Sequence, residues 1–313
     1  MRIRPVTRCG SALLCVLFLA GCSGGSSSAS GSSTTSTASS SATSTTTIAP
    51  AIERKLVTTQ EQVANLPGFD IIRPEDLAAL GRPLPVIVWA NGGCYRYDTV
   101  WLPLLKRLAA AGNIVVAITT PPGADPQTAG PSTANDQAKG IDWALRENAR
   151  PSSPFAGHLD TKRIVAAGNS CGGITALSLA AKDPRVRAVF VLSGSSVPPG
   201  GTRAAAAEIM DHIKVPVAYV TGGPTDISRV MVQQDYDLVS GAPAYVARRR
   251  AGDHVMVSTN TAVLAEVADI GINWLDYMLY GTPQARANLL PTPCSTCPVG
   301  TWSVRSKDFH VPS

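Results

Sequence analysis

The pentapeptide Gly168-Asn169-Ser170-Cys171-Gly172 places one serine between two glycines, at the spacing Gly-x-Ser-x-Gly. Small neighbours allow a sharp turn from a strand into a helix, and such a turn can present a serine hydroxyl as a nucleophile. Residues 163–168 before the serine are apolar and predict a buried strand, while residues 174–181 predict a helix. This context favours a nucleophile over the alternative, a purely structural turn.

A serine hydroxyl needs a base to take its proton, and histidine is the usual base. His254 follows the last predicted strand, residues 242–247, and Gly252 lies in the loop between them. Catalytic groups gather at the carboxyl ends of the strands in open α/β sheets. His158 and His212 precede predicted strands and His310 lies in the C-terminal tail, so we predict His254 as the base. The alternative is a surface histidine without a catalytic role.

An acid must orient the imidazole, and Asp226 lies in the loop after the predicted strand 215–221. Asp253 is a weaker candidate, because adjacent side chains in a loop usually diverge. Asp235 and Asp237 lie in a predicted helix, where we expect solvated side chains. The chain order Ser170, Asp226, His254 differs from the orders found in trypsin-like and subtilisin-like proteases.

Stabilising the oxyanion requires two backbone N–H groups that point at the developing charge. Cys171, the residue after the nucleophile, is expected to supply one. The second is expected from the loop 91–94, which follows the predicted strand 85–90. We choose Gly93, with Cys94 as the alternative donor; the remaining alternative is a plain Gly-Gly turn.

Two cysteines flank the predicted oxyanion hole, one in each half. We therefore expect Cys94 and Cys171 to lie close together and propose a disulfide between them; the competing interpretation is two unpaired, buried thiols. Cys294 and Cys297 are separated by two residues. This spacing also occurs in zinc half-sites and redox motifs, but no second ligand pair or thioredoxin-like pattern accompanies it. A second, local disulfide is the better interpretation.

The predicted elements alternate between strands and helices over one domain, residues 50–313. This alternation is typical of a mostly parallel sheet with helices on both faces. The segment 193–214 is short, so we expect no large lid. The predicted strands are 85–90, 113–119, 163–168, 186–192, 215–221 and 242–247, and the predicted helices are 101–111, 134–148, 174–181, 227–238 and 261–279.

The N-terminus determines the expected compartment. Residues 1–21 combine basic residues with a short apolar run, as in a signal peptide. The run ends in Leu-Ala-Gly-Cys22, which resembles a bacterial lipobox and predicts lipidation of Cys22. Residues 22–49 are mainly serine, threonine, glycine and alanine and predict a disordered tether. We therefore expect a lipid anchor on the extracytoplasmic face of the cell membrane.

The whole sequence carries a formal charge of +5, and three of its basic residues lie in the predicted signal peptide. The mature chain is therefore close to neutral, and we expect no nucleic-acid partner. No cofactor or metal is expected. The expected partners are a membrane, reached through the lipid, and a small-molecule or cell-envelope ester substrate, and we expect a monomer.

With these residues identified, the chain resembles the esterase, lipase and dienelactone-hydrolase-like branches of the α/β-hydrolases over about residues 80–280. Asn-Gly-Gly-Cys at 91–94 and Gly-Asn-Ser-Cys-Gly-Gly at 168–173 carry the likeness, although Asn91 replaces the histidine of related enzymes. The resemblance implies a core sheet of about eight strands and a Ser-His-Asp triad. It predicts carboxylic ester hydrolysis through an acyl-enzyme. The alternatives are an acyltransferase acting on cell-envelope glycans or lipids and an inert tethered binding protein.

Overall fold

The described strands form one ten-stranded sheet, with the apolar runs of the sequence at its centre. The structure, a computed structural model, describes residues 44–46, 55–126, 128–290 and 300–311, which belong to one unit spanning residues 39–313. The strands are β1 (Ser44–Thr46), β2 (Thr58–Gln62), β3 (Phe69–Pro74), β4 (Leu84–Ala90), β5 (Ile114–Ile118), β6 (Leu159–Asn169), β7 (Val186–Leu192), β8 (Val217–Thr221), β9 (Ala244–Arg249) and β10 (Trp302–Lys307).

The strand order β1-β10-β9-β8-β7-β6-β4-β5-β3-β2 places a parallel block at the centre. The six strands from β9 to β5 run parallel, and the outer strands on both sides are antiparallel. The chain passes from β4 to β5 on one side and then returns to β6 on the other. Ligands bind at such a reversal of strand order, beyond the carboxyl ends of the strands. The loops after β4 and β6 meet there.

Helices cover both faces of this sheet, because the central strands are apolar on both sides. Helices α1 and α7 pack on one face, and α2, α3 and α5 pack on the other. The helices are α1 (Leu102–Ala110), α2 (Ala134–Ala149), α3 (Cys171–Ala180), α4 (Arg203–Met210), α5 (Arg229–Leu238), α6 (Met256–Thr259), α7 (Thr261–Tyr280) and α8 (Pro283–Leu289).

Every predicted strand and helix is present with its bounds shifted by a few residues. The structure adds β1, β2, β3 and β10 at the sheet edges, and it adds helices α4, α6 and α8. Between β7 and β8 the only helix is the eight-residue α4, in agreement with the expected absence of a large lid.

The strand β1 lies inside the segment 22–49 that the sequence predicted as a tether. It pairs antiparallel with β10, so the sheet includes residues before position 50, where the domain was predicted to begin. The predicted signal peptide, the lipidation site Cys22 and the rest of the tether lie outside the described residues. Among the described helices, none is long and apolar enough to span a membrane.

Candidate active site

Ser170 occupies a strained turn between β6 and α3. Its backbone has φ 50° and ψ −116°, a conformation that residues other than glycine rarely adopt. The turn is held from both sides: the Ser170 N–H donates to Leu192 O at 2.9 Å, and the Gly173 N–H donates to Ser170 O at 2.9 Å. Strain that is fixed in this way is typical of functional sites. Ser170 is partly exposed to solvent.

The two glycines of the pentapeptide are required by close backbone contacts. A Cβ atom at Gly172 would lie 2.1 Å from Ala90 O, and one at Gly168 would lie 2.3 Å from Gly172 O. Helix α3 therefore starts directly against the end of β4. The glycines allow this approach, which brings the loop after β4 next to Ser170.

Ser170, His254 and Asp226 form one hydrogen-bonded chain. The Ser170 Oγ atom lies 2.8 Å from His254 Nε2, and His254 Nδ1 lies 2.9 Å from Asp226 Oδ1. With the ring proton on Nδ1, the imidazole donates to the carboxylate and accepts from the serine hydroxyl. The structure thus brings together the three residues that the sequence predicted, at the distances that proton transfer requires.

Asp226 is held as a carboxylate by a ring of donors. Its Oδ2 accepts from the Gly222 N–H at 2.7 Å and from the Ser193 hydroxyl at 2.8 Å. Its Oδ1 accepts from the N–H and the hydroxyl of Ser228, at 2.9 and 2.8 Å. Burial alone would raise the pKa of Asp226, but the hydrogen bonds from His254 and these donors outweigh it. The pKa therefore lies well below its ordinary value.

The loops that carry the acid and the base are joined by backbone contacts. The Gly223 N–H donates to Gly252 O at 2.7 Å, and Thr225 forms an isolated parallel bridge with Asp253. A Cβ at Gly222 would lie 2.6 Å from Asp253 O, so the approach requires glycine there. The two loops therefore form one hydrogen-bonded unit beyond the ends of β8 and β9.

The other aspartates considered from the sequence lie elsewhere. Asp253 Oδ1 accepts from the Val255 N–H at 3.1 Å rather than from His254. Asp237 is exposed, as expected. Asp235 is fully buried, which contradicts the prediction of a solvated side chain. It accepts from the N–H and the hydroxyl of Ser196, both at 2.6 Å, because the loop after β7 packs over the inner face of α5. Burial raises its pKa to about 6, against these hydrogen bonds.

The loop after β4 approaches the serine turn through glycines. Gly93 has φ 63° and Cys94 has φ 55°. A Cβ at Gly92 would lie 2.4 Å from the Asn169 side chain, and one at Gly93 would lie 2.4 Å from the Tyr95 ring. Because Cys171 is the first residue of α3, its N–H has no partner within the helix. The predicted oxyanion donors thus lie on two segments that are packed against each other.

Asn91 fixes the start of this loop. Its side-chain amide donates to Ile118 O at 2.7 Å and to Tyr95 O at 3.1 Å, and its Oδ1 accepts from Trp89 Nε1 at 2.9 Å. The sequence showed only that an asparagine replaces a histidine. It gave no signal for the supporting roles of Asn91, Ser193, Ser228 and Asp235, because single polar residues show no periodic pattern that indicates their partners.

The Cys94–Cys171 disulfide is present, which confirms that prediction. It joins the loop after β4 to the first residue of α3, across 77 positions of sequence. Both halves of the predicted oxyanion hole are therefore linked covalently. Cys294 and Cys297 lie outside the described residues, so their pairing stays a prediction.

Two depressions meet at this bridge. Ser170, Cys171 and His254 line a cavity of about 140 Å³ whose remaining wall is largely apolar, with Ile174, Val197, Pro198 and Pro199. A larger groove of about 530 Å³ is lined by Gly93, Cys94, Tyr95, Tyr97, Pro126, Gly130 and Pro131. Although the groove is larger, the chemistry belongs to the small cavity, which contains the nucleophile and the base.

The described residues contain no group of three or more His, Cys, Asp or Glu side chains that could hold a metal ion. The expectation that the chain needs no cofactor stays a prediction.

The sequence of the chain matches a known protein family. The model of the PET hydrolase-like family matches residues 86–286, nearly two thirds of the chain. The chain belongs to this family. The PET hydrolase-like family is of the α/β-hydrolase type, which confirms the predicted fold class and makes the chain an ester hydrolase of that type. The match begins in β4 and ends in α8, and so includes all three residues of the hydrogen-bonded chain. No curated protein matches the chain.

Proposed function

We propose that this PET hydrolase-like chain is a serine hydrolase that cleaves carboxylic esters through an acyl-enzyme on Ser170. The observation that carries the proposal is the continuous hydrogen-bonded chain from Ser170 Oγ through His254 to Asp226, with distances of 2.8 and 2.9 Å. The strained turn and the disulfide-linked loop support it. The turn presents the nucleophile, the hydrogen-bonded chain activates it, and the linked loop holds a proposed oxyanion donor.

In the first step Ser170 Oγ attacks the ester carbonyl, and its proton passes to His254 Nε2. Asp226 stabilises the imidazolium, because it is ionised and accepts a hydrogen bond from the Nδ1–H group. The carbonyl oxygen becomes an oxyanion, which the N–H groups of Cys171 and Gly93 stabilise. His254 then protonates the leaving alcohol. Water, activated by the same histidine, releases the acid and regenerates Ser170.

The two depressions suggest the shape of the substrate. The cavity of about 140 Å³ beside Ser170 suits a small apolar group, and the groove of about 530 Å³ suits a larger one. Tyr95 and Tyr97 stack at 5.1 Å between ring centroids, and both rings are exposed in the groove. Trp101 is buried against Trp89 and belongs to the core. We infer an ester with a small group on one side of the bond and a bulky group on the other.

We further propose that the enzyme acts outside the cytoplasm, anchored by a lipid on Cys22. The disulfide supports this location, because such bonds persist in oxidising compartments. The lipobox-like sequence and the Ser/Thr-rich segment that follows it support the anchor.

A fluorophosphonate probe tests the nucleophile. We expect the wild-type chain to be labelled and Ser170→Ala to lose labelling, with ester turnover reduced on the order of 10⁴-fold or more. Ser195→Ala is the matched control, because Ser195 lines the same cavity but donates to Val197 O. It is expected to keep both labelling and turnover of short and long p-nitrophenyl esters.

An unlabelled wild-type protein would contradict the serine mechanism. Labelling without hydrolysis of any ester would instead favour an acyltransferase, in which a hydroxyl group of a cell-envelope glycan or lipid replaces water. Transfer to such an acceptor, detected by mass spectrometry of the products, would then identify that activity.

A further inference from the structure

A second groove, of about 350 Å³, lies at the end of the sheet opposite to Ser170. It is built from the amino-terminal parts of β6 and β7, the approach to β8, the end of α7 and the C-terminal residues. We call it the basal groove. It is lined by Lys162, Arg163, Arg187, Lys214, Val215, Pro216, Met278, Leu279 and Val311.

The cations of the basal groove are largely without acidic partners. Lys162, Arg187 and Lys214 are exposed, and among the described residues none of the three forms an ion pair. Arg163 is the exception, since it pairs with Asp160. Three exposed cations without ion-pair partners around one groove concentrate positive charge there.

Two arginines beside the groove contact the ring of Tyr280. The Arg163 guanidinium lies 4.6 Å from the centre of the Tyr280 ring, and that of Arg82 lies 5.3 Å from it. Arg82 also donates to the Tyr280 hydroxyl at 2.8 Å, and Arg163 donates to Leu279 O at 2.9 Å. The two arginines are therefore held in place beside the groove.

The remaining lining of the basal groove is apolar and is supplied by the end of α7, the residues before β8 and Val311. A cationic rim around an apolar floor matches an anionic amphiphile, whose charged headgroup meets the rim while its hydrocarbon part covers the floor. A small inorganic anion would use the rim alone. The combination favours phospholipid over a purely ionic ligand.

The position of the groove is compatible with catalysis at a membrane. Strand β6 runs from the basal groove to the active site, with eight residues from Lys162 to Ser170, or about 25 Å at the usual rise per residue. A membrane at the basal groove leaves the cavity of Ser170 on the far side of the domain, open to substrate.

We propose that the basal groove docks this protein on the surface of a membrane that contains anionic phospholipid. The predicted lipid on Cys22 would hold the domain near the same surface, and the groove would set its orientation. The inference does not depend on the proposed catalytic mechanism.

Vesicle flotation tests the proposal. The predicted mature chain from residue 22, carrying Cys22→Ser to remove the acylation site, is mixed with vesicles of phosphatidylcholine, with or without phosphatidylglycerol. We expect binding to the anionic vesicles only, and weaker binding at high salt. Arg187→Gln with Lys214→Gln is expected to reduce the partition coefficient about thirty-fold.

Lys106→Gln with Arg203→Gln is the matched control, since it removes the same charge from exposed positions outside the groove. This variant is expected to bind like the parent chain. Equal loss in both double variants would overturn the proposal, because it would indicate net charge alone. Absence of binding to anionic vesicles would also overturn it, as would full displacement by millimolar glycerol phosphate, which would indicate a site for a soluble anion. An unchanged circular dichroism spectrum and melting temperature show that each variant is folded.

Discussion

Two buried aspartates have pKa values that are shifted in opposite directions. Asp226 receives several hydrogen bonds, which keep its pKa well below the ordinary value. Asp98, at the end of the loop that carries the predicted oxyanion donor, accepts one long hydrogen bond from the Thr119 hydroxyl, at 3.3 Å. Burial and the neighbouring Asp70 raise the pKa of Asp98 to about 7. Both carboxyls are buried, so the hydrogen-bond donors and the charged neighbour, rather than burial itself, account for the opposite directions of the two pKa shifts.

The raised pKa of Asp98 predicts a specific pH dependence of stability. Between about pH 4 and pH 7 the folded chain keeps a proton that the unfolded chain releases, so the free energy of unfolding falls as the pH rises through this window. Asp98→Asn removes the titration. We expect the variant to gain stability relative to wild type by up to about 1.4 kcal/mol per pH unit across the window. Urea unfolding at pH 5, 6, 7 and 8 measures this difference.

Asp211→Asn serves as the control for this series, because Asp211 is exposed at the end of α4. Its difference from wild type is expected to stay flat with pH. A flat difference for Asp98→Asn as well would show that Asp98 is ionised in the folded chain.

At the residue scale the sequence predicted the reactive groups but not their supports. Ser170, Asp226 and His254 could be found because each follows a strand in an order known from hydrolases. Ser193 and Ser228 could not, because a serine that donates to a carboxylate looks like any other serine in a loop. Asp235 was expected in solvent because its helix was predicted without the loop that covers it.

The disulfide connects two elements, the loop after β4 and helix α3. Cys94→Ala with Cys171→Ala is expected to lower the free energy of unfolding by roughly 2–4 kcal/mol. It should also reduce kcat at least tenfold, since the loop that carries the proposed donor Gly93 would no longer be linked covalently to residue 171. Labelling of Ser170 by fluorophosphonate is expected to persist. Kinetics well below the unfolding temperature separate the two effects.

Cys294→Ala with Cys297→Ala provides the comparison, because it removes two cysteines and leaves the Cys94–Cys171 bond. We expect its kcat to match that of wild type. If the Cys94 and Cys171 variant also kept full kcat, the bond would have a purely stabilising role.

At the element scale the central strands were predictable because they are apolar on both faces. The edge strands were not. In β2 the side chains are partly or fully exposed. Strand β10, Trp302–Lys307, contains two buried apolar residues among partly exposed polar ones. Such strands are specified by the neighbour with which they pair, and pairing between distant segments leaves no periodic signal in a single sequence.

For the whole molecule, the sheet extends beyond the residues matched by the family. Strand β10 covers the edge of β9, and the loop after β9 carries His254. Trp302 and Val304 of β10 are each only 2% exposed, and Trp302 Nε1 donates to Glu266 at 2.9 Å. The C-terminal strand therefore completes one side of the core.

A chain ending at Leu290 lacks β10 and tests this role. We expect its melting temperature to fall by about 10 °C or more, because a buried tryptophan and valine are lost. Ester turnover should fall with it, since β9 becomes an edge strand. Calorimetry and esterase assays against a chain ending at Val311 measure both effects. Equal melting temperatures would show that β10 is dispensable.

The backbone contacts between the acid and base loops also bear on how activity fails with heat. Gly223 and Gly252 tie these loops together, whereas Ser170 belongs to a separate turn that is bound to β7 and the disulfide. We therefore expect Asp226 and His254 to move together when the protein is warmed, with the Ser193 hydroxyl as the side-chain link from Asp226 to the end of β7. The contact between serine and histidine is then expected to be lost before that between histidine and aspartate. The result would be an intact imidazole–carboxylate pair that no longer contacts the serine hydroxyl.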